Sequence, residues 1–412
     1  MKKFFMLTII LLFCLCLLTY NFYNEFSIDD TSINNIKPQN MLSIMLESSD
    51  ESGNYVMTTQ NSWPTDGYVF NSELSKCENG GTLSWDKTNK MVKFSGNISD
   101  KCYVYFDVDT SMSLAEYVVS QYTGTQGVNG IYYHDANLTN GAGDNSYRYA
   151  GANPNNYVCF GSDDATCPSD DLYRIIGVID GKIKLISADG ATTTMLGTDE
   201  GYVKTYQAAF GSDSSYYKGN GDLTKIGTYK WNKSGTNTWS TSTTNTINLN
   251  TNYLSYLDSK NTKWKTMIAD TTWYVGGMTK ANGYNSNAKT AYNYEVGANK
   301  DGTTVNAKIG LMYVSDYGFA AAPSAWTTIL YNYDDATIIN ENWLYIGLCE
   351  LTISRRSDDS NLAFAVRDAG DLGGGAVDSS YGSAVRPSFS LLSSIKFTSG
   401  EGTAVNPIRV NL

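Results

Sequence analysis

Apolar and polar residues alternate at strand length along six segments near the N-terminal end of the chain. These segments are MLSIMLE, NYVMTT, YVFN, GTLSWD, MVKFSG and CYVYFDV. Turn signals separate them, for example ENGG at 78–81 and DKTN at 86–89. The pattern predicts a small all-β, β-sandwich-like module over residues 41–108.

The remaining residues, 109–412, combine helical and strand patterns. SLAEYVVSQY predicts a short leading helix, and LYRIIGVIDGKIKLISA predicts a hairpin around Ile179-Asp180-Gly181. Leu and Trp recur at three- and four-residue steps in INLNTNYLSYL and KWKTMIADTTWYV, which predicts two helices. Strands are predicted for AKIGLMYVSDYGFAA, NWLYIGLCELTISRR, LAFAV, VRPSFSLL and NPIRVNL. We therefore expect an α+β fold with a mixed β-sheet that both ends of this domain share.

The N-terminal segment predicts a membrane anchor. Lys2 and Lys3 precede an uncharged, mostly apolar run from Phe4 to Tyr20. An A-x-A-like cleavage pattern is missing, and the run reaches the lower length limit of a spanning helix. Positive charge before the run predicts a cytoplasmic N-terminus. We predict a signal anchor or transmembrane helix over residues 1–24, a stalk over 25–40, and a single-pass protein with an extracellular C-terminal domain. The alternative is secretion after cleavage of the signal.

Charge and cysteine content exclude one class of partner and indicate the compartment. The formal net charge is −11, the sequence pI is about 4.7, and Lys and Arg form no run, so no nucleic-acid partner is expected. Beyond the predicted anchor, the first four cysteines form two local pairs, Cys77 with Cys102 and Cys159 with Cys167. Their spacing fits no zinc pattern, so we predict two disulfides formed in an oxidising compartment.

Several segments resemble a family of exported proteins. They are YRIIGVIDGKIKLI, IGLMYVSDYGFAAAPSAWTTILYNYD, NENWLYIGLCELTISRRSDDS and SAVRPSFSLLSSIKF, with SWPTDGYVFNSELSKCENGGTLSWD in the N-terminal module. They look like segments of exported surface proteins of gut Gram-positive bacteria. The C-terminal domain of those proteins resembles the C-type-lectin-like fold of formylglycine-generating-enzyme-like proteins and of diversity-generating-retroelement variable proteins. The resemblance implies such a domain over residues 109–412, with an exposed face over residues 357–383.

The candidate site is this exposed face. Alternation across NLAFAVRD predicts Leu362, Phe364 and Val366 inside, and Asn361 and Arg367 outside. Tyr and Asn side chains offer large contact area and adaptable hydrogen bonding, which suits a binding surface. The predicted ligand-binding residues are Asp358, Asp359, Asn361, Arg367, Asp368, Asp371, Asp378 and Tyr381.

The composition of the face also suggests a hypothesis about its variation. In retroelement variable proteins, such a face is built from residues that adenine-directed mutation of Asn codons reaches, which excludes Lys, Glu, Gln, Met and Trp. None of these five occurs between Leu351 and Ile395, but none occurs from Gly127 to Gly181 either. The comparison does not discriminate, and diversification of the face stays a hypothesis.

Catalytic and metal-binding chemistry finds little support in the sequence. His134 is the only histidine, and it lies in the tyrosine-rich stretch GIYYHDAN. Formylglycine-generating chemistry depends on a cysteine pair in the final domain, whereas the late part of this chain has only Cys349. The Asp-Asp pairs fit no EF-hand spacing, and no phosphate loop or His-Glu-x-x-His motif is present. We therefore predict no catalytic residue, no metal ligand and no cofactor.

These expectations favour a non-catalytic recognition or adhesion protein of the cell surface. Its partner would be a protein or glycan on another cell, a host or a phage, and the N-terminal helix would bind the membrane. The alternative is a structural or assembly component of the cell envelope without a specific ligand.

Overall fold

The structure is a computed structural model that describes residues 42–47, 53–58, 63–64, 68–86, 91–97, 100–109, 111–211 and 215–412. The predicted anchor at 1–24 and stalk at 25–40 lie outside these residues. Within the described ranges, no helix is both long enough and apolar enough to cross a membrane. The chain divides into two units, Met1–Thr110 and Ser111–Leu412.

The first unit consists of strands in the segments where the alternating pattern predicts them. They are β1 (Leu42–Glu47), β2 (Tyr55–Met57), β3 (Tyr68–Cys77), β4 (Thr82–Asp86), β5 (Met91–Ser95) and β6 (Cys102–Val108). Four of them form a sheet in the order β2-β1-β6-β3, in which β1 runs parallel to β6. The other two, β4 and β5, form a separate antiparallel hairpin.

An aromatic cluster and a disulfide stabilise the first unit. The predicted bond between Cys77 and Cys102 is confirmed, and it links register partners at the end of β3 and the start of β6. Phe106 of β6 is fully buried, and its ring centroid lies 5.9 Å from that of Phe70 and 5.5 Å from that of Trp85. These contacts pack the β4–β5 hairpin against the sheet.

The larger unit contains two large sheets. Its strands are β7 (Ile131–Tyr133), β8 (Tyr147–Tyr149), β9 (Tyr157–Cys159), β10 (Leu172–Ile179), β11 (Lys182–Ser187), β12 (Tyr202–Thr205), β13 (Gly227–Tyr229), β14 (Thr271–Tyr274), β15 (Thr304–Ala307), β16 (Ile309–Gly310), β17 (Glu350–Arg355), β18 (Leu362–Val366), β19 (Leu372–Ala376), β20 (Ser383–Ala384), β21 (Ser388–Ser390), β22 (Lys396–Ser399) and β23 (Arg409–Asn411).

The seven-stranded sheet joins early and late parts of the larger unit. Its order is β16-β21-β11-β10-β8-β7, with β9 also paired to β10. The predicted β10–β11 hairpin is present, and its turn residues Asp180 and Gly181 have φ of 49° and 71°, as a type I′ turn requires. The predicted disulfide between Cys159 and Cys167 is confirmed beside β9.

The second large sheet has six strands in the order β12-β13-β20-β17-β18-β19. It is mixed, because β17 runs parallel to β20 while its other neighbour, β18, is antiparallel. Two small pairs, β14 with β15 and β22 with β23, complete the strand pairing of the described residues.

Helices of the larger unit are short and connect the strands. They are α1 (Leu114–Ser120), α2 (Thr193–Leu196), α3 (Tyr206–Phe210), α4 (Leu254–Lys260), α5 (Thr262–Thr266), α6 (Lys280–Asn285), α7 (Ala288–Glu295), α8 (Val314–Ala320) and α9 (Ala336–Asn340). A π-helix (Thr244–Tyr253) precedes α4, and 3₁₀ turns cover Val128–Gly130, Ser169–Asp171, Trp239–Thr241, Pro323–Ala325 and Leu330–Asn332.

The predicted fold class, a membrane helix, a β module and a C-type-lectin-like α+β domain with two helices, is wrong. The described residues form a mixed α/β structure in which strand residues outnumber helix residues. Residues 111–211 and 215–412 contain nine α-helices in place of two. The predicted membrane helix at 1–24 lies outside the described residues, and within them no candidate membrane span occurs.

Two segments differ from their predicted secondary structure, one in each direction. AKIGLMYVSDYGFAA, predicted as a strand, contains β16 and then α8, whose seven residues are all buried. A helix without a polar face shows no 3.6-residue period, so its sequence reads like a buried strand. KWKTMIADTTWYV, predicted as a helix, contains only the short α5 before β14 begins at Thr271.

A buried ion-pair network centred on Asp316 anchors α8 to the seven-stranded sheet. Asp316 Oδ2 accepts from Lys184 Nζ at 2.6 Å, and Asp316 Oδ1 accepts from Arg148 Nη1 at 3.3 Å. Arg148 also pairs with Asp144 at 2.8 Å. The Asp316 carboxylate accepts the backbone N–H of Tyr313 at 2.9 Å, which caps α8. Two buried cations and two carboxylates therefore neutralise one another inside the core.

We expect Asp316→Asn to destabilise the protein strongly. The change leaves the Lys184 and Arg148 cations buried with one carboxylate between them, and breaking a buried pair costs about 3–5 kcal/mol. Urea unfolding of the full chain measures the loss. The matched control Asp180→Asn alters an exposed turn residue, so its free energy of unfolding should change by less than about 0.5 kcal/mol. Equal effects of the two changes would contradict the role of the network.

Candidate functional site

The predicted face is built on the hairpin of β18 and β19, where β19 is the outermost strand of the six-stranded sheet. Register partners run from Leu362 with Ala376 to Val366 with Leu372. Phe364 and Val366 are buried and Asn361 and Arg367 are exposed, as the alternation predicts, whereas Leu362 is only half-buried. Strands of this length span about 14 Å. The predicted site residues therefore divide between the two ends of the hairpin.

The turn end of the hairpin carries Arg367, Asp368 and Asp371. The Arg367 guanidinium pairs with the Asp371 carboxylate at 2.9 Å. The carbonyl of Asp368 accepts from the Tyr345 hydroxyl at 2.7 Å, and its Oδ1 accepts from the backbone N–H of Ala369 at 3.1 Å. Burial raises the pKa of Asp371, although the charge of Arg367 opposes this. These residues stabilise the turn itself.

Asp358, at the opposite end, is also engaged within the unit. Its carboxylate oxygens accept from the Arg356 guanidinium in two bonds of 3.0 Å each. The same carboxylate accepts the backbone N–H of Lys280, the first residue of α6, at 3.1 Å. The hydrogen bond from Arg356 lowers the pKa of Asp358 to about 2. Asp358 therefore attaches the connection between β17 and β18 to α6.

A buried amide, Asn237, organises this open end of the hairpin. Its Nδ2 donates to the carbonyls of Arg356 at 2.7 Å, Asp359 at 2.8 Å and Leu362 at 2.8 Å. Its backbone N–H donates to the carbonyl of Ser360 at 2.6 Å. One side chain thus joins three carbonyls of the connection between β17 and β18, two of which also accept backbone N–H groups: Leu362 from Arg356 at 3.1 Å and Asp359 from Leu362 at 3.4 Å.

The loop that carries Asn237 also holds the end of β19 in place. The backbone N–H of Asn232 donates to the carbonyl of Val377 at 2.9 Å, and the N–H of Val377 donates to the carbonyl of Asn361 at 2.9 Å. Asn232 Oδ1 accepts the N–H of Ser234 at 3.2 Å, and Gly235 has a φ of 76°, so the loop turns tightly. We call residues 232–237 the clamp loop.

Four predicted residues remain, of which Asn361, Asp378 and Tyr381 are exposed. Asp359 is half-buried, and its Oδ1 accepts the backbone N–H of Asn361 at 3.0 Å. The Tyr381 residue is 60% exposed, and its ring centroid lies 5.5 Å from Lys204 Nζ. The backbone hydrogen bond from the N–H of Val377 to the carbonyl of Asn361 places Asp378, the residue after Val377, close to Asn361. We call this set the recognition surface; it consists of Asp359, Asn361, Asp378 and Tyr381.

Sequence reasoning missed the clamp loop. NKSGTN at 232–237 has the composition of a turn, which local patterns detect. The carbonyls that Asn237 binds lie 119 to 125 residues later in the chain. No local signal connects two segments at that separation.

The residues considered for chemistry lie elsewhere in the larger unit, His134 fully buried and Cys349 half-buried. His134 is fully buried, its Nδ1 accepts the N–H of Ala142 at 3.0 Å, and its ring packs against Phe319 and Trp326. Burial raises the pKa of the Cys349 thiol. No group of three or more His, Cys, Asp or Glu residues that could hold a metal ion occurs among the described residues.

Comparisons with protein-family models, with curated proteins and with solved structures found no match to this chain. The resemblance to exported surface proteins therefore stays a prediction.

We expect Asn237→Ala to loosen the recognition surface. The change removes the side-chain donor that joins the carbonyls of Arg356, Asp359 and Leu362, at a cost of about 1–3 kcal/mol, and hydrogen exchange at residues 356–362 should accelerate. The control Asn285→Ala removes an exposed amide that donates to one helical carbonyl, and it should leave that exchange unchanged. Unchanged exchange in Asn237→Ala would contradict the clamp.

The single histidine, His134, makes the free energy of unfolding depend on pH in a direction that its lowered pKa determines. Burial, with a contribution from Arg148, lowers the pKa of His134 to about 3 in the folded chain. The unfolded chain binds a proton near pH 6.5 that the folded chain does not bind, so the free energy of unfolding falls as pH falls from 6.5 towards 3. The contribution is about 1.4 kcal/mol per pH unit. Urea unfolding at pH 6.5 and 4.5 should show a shallower decrease for His134→Gln; equal decreases would contradict the assignment.

Proposed function

We propose that this protein is a non-catalytic recognition protein of the cell surface. Its ligand is a protein or a glycan on another cell, a host or a phage, and its contact residues are those of the recognition surface. The observation that carries the proposal is the set of hydrogen bonds from Asn237 Nδ2 to the carbonyls of Arg356, Asp359 and Leu362, which holds the backbone around Asp359 and Asn361 in place.

Rigid backbone under exposed polar side chains is the arrangement that binding surfaces favour. A pre-organised loop loses little conformational entropy when a ligand docks, so more of the contact energy appears as affinity. Tyr and Asn supply contact area and adaptable hydrogen bonds at low rotamer cost. Asp359 and Asp378 add two acceptor groups that select for donors on the partner.

The chemistry of the surface supports binding rather than catalysis. Its four residues include no nucleophile beside a base, and the only histidine of the chain is buried in another part of the fold. The proposal places residues 1–24 in the membrane and residues 41–412 outside the cell. The two disulfides support this location, because such bonds persist in oxidising compartments.

The alternative, a structural or assembly component of the envelope, has one supporting observation. Large apolar side chains are exposed on β2 and β3, the outer strands of the four-stranded sheet in the first unit. Val56 is 64% exposed, Met57 59%, Val69 46% and Leu74 42%. Exposed apolar side chains on outer strands favour pairing between copies.

The test is a binding screen with a variant of the recognition surface. The labelled full chain is applied to a glycan array and to intact bacterial and epithelial cells, and binding is compared with a variant in which Asp359, Asn361, Asp378 and Tyr381 are all Ala. Truncating a central contact costs more than about 2 kcal/mol, so binding should fall at least thirtyfold. The matched control changes four exposed residues elsewhere to Ala, namely Asp164, Asp270, Asn299 and Tyr216.

Two outcomes would overturn the proposal. Equal binding by the parent and the variant would move the contact away from the recognition surface. Absence of any binding, together with an oligomer that dissociates on Val56→Ser and Met57→Ser, would assign the chain to envelope assembly.

A further inference from the structure

A second site lies in the larger unit, far from the clamp loop in sequence. A cavity of about 370 Å³ opens between α1, the turn at 128–130, β8 and the loop at 152–155. Its volume falls in the range of small-ligand sites. We call it the amide cavity, because four side-chain amides line it: Gln121, Asn129, Asn153 and Asn155.

The lining is neutral and polar. Tyr117 and Tyr149 supply aromatic walls, and Glu401 is the only charged residue that lines the cavity in the described part of the chain. Each amide offers a donor and an acceptor at once. Asn153 and Asn155 are exposed, so their amides are open to a ligand without rearrangement of the core.

Hydrogen bonds from a buried arginine and from Asn129 hold the walls of the cavity in place. The buried Arg174 guanidinium donates to Asn153 Oδ1 at 3.4 Å, to the carbonyl of Pro154 at 3.2 Å and to Asn156 Oδ1 at 2.7 Å. Asn129, with a φ of 58°, donates from Nδ2 to the carbonyl of Gln121 at 2.9 Å. The amides are therefore presented on rigid backbone.

A ledge of tyrosines continues the site along the sheet. Tyr149, which lines the cavity, and Tyr147 lie on the same face of β8, two residues or about 7 Å apart. Tyr147 pairs in register with Tyr133, and their rings stack with centroids 4.6 Å apart. The ring centroid of Tyr122 lies 5.5 Å from that of Tyr147 and 6.0 Å from that of Tyr133. The three rings, all half-buried, form the tyrosine ledge.

We infer that the amide cavity and the tyrosine ledge bind a neutral oligosaccharide. Sugar hydroxyls are donors and acceptors together, and side-chain amides match both functions. The apolar faces of sugar rings pack on tyrosine rings, whose hydroxyls stay wet. No cation lines the cavity among the described residues, and Glu401 disfavours an acidic sugar. The inference uses none of the residues of the recognition surface.

Saturation-transfer NMR on the full chain tests the inference, with maltotriose and chitotriose as neutral probes and sialyllactose as the acidic one. At about 10 mM, a ligand of millimolar affinity fills the site. At least one neutral probe should receive saturation, and sialyllactose should not. If neither neutral probe binds, or if sialyllactose binds best, the inference is wrong.

Alanine variants of the amide cavity test whether the oligosaccharide binds there. Asn153→Ala with Asn155→Ala should weaken binding about tenfold, since two hydrogen bonds are lost. The matched control is Asn220→Ala with Asn299→Ala, two exposed amides away from the cavity, and it should bind as the parent does. Equal affinity of the two double variants would refute the site.

The ledge is tested separately by a pair of changes at one position. Tyr133→Phe keeps the ring and should keep binding, whereas Tyr133→Ala removes it and should weaken binding by about tenfold. The fourfold Ala variant of the recognition surface should bind the neutral probe normally, so failure of either site is recognised independently of the other. Unchanged binding by Tyr133→Ala would remove the ledge from the site.

Discussion

The ion pairs of Asp316 are the constraint on which the larger unit depends. Charges taken out of water are costly unless they are paired in good geometry, so Lys184 and Arg148 force α8 into one position against the sheet. The buried Glu295 adds to this, because its carboxylate accepts the N–H groups of Val314 and Ser315 at 2.9 Å each. The first turn of α8 thus has its polar groups satisfied inside the core.

Both the turn of the β18–β19 hairpin and the wall of the amide cavity are attached to this helix. The Tyr317 hydroxyl of α8 donates to the carbonyl of Gly370 at 2.7 Å, in the turn of the β18–β19 hairpin. At the end of α8, the carbonyl of Ala320 accepts the N–H of Gly151 at 3.0 Å, at the start of the loop that walls the amide cavity. A shift of α8 would therefore move the hairpin and the cavity wall together.

The features that the sequence predicts correctly are those that residues close together in the chain determine. The strands of the first unit, the β10–β11 hairpin and both disulfides depend on neighbours within a few tens of residues, and alternation alone put Phe364 and Val366 inside. The position of α8 and the clamp depend on contacts across the chain. The side chains of Asn237 and Asn156 donate to backbone carbonyls of other segments, which explains why a chain rich in Asn and poor in Pro has ordered loops.

The parallel pairing of β1 and β6 has a mechanical consequence. These are the strands by which the chain enters and leaves the described part of the first unit, and they lie side by side in the same direction. Tension applied to the two ends of this segment pulls the strands past each other along their length. Their ladder of hydrogen bonds then bears the load together instead of opening one bond at a time. The first unit would therefore resist such tension in shear, with its strands loaded along their length.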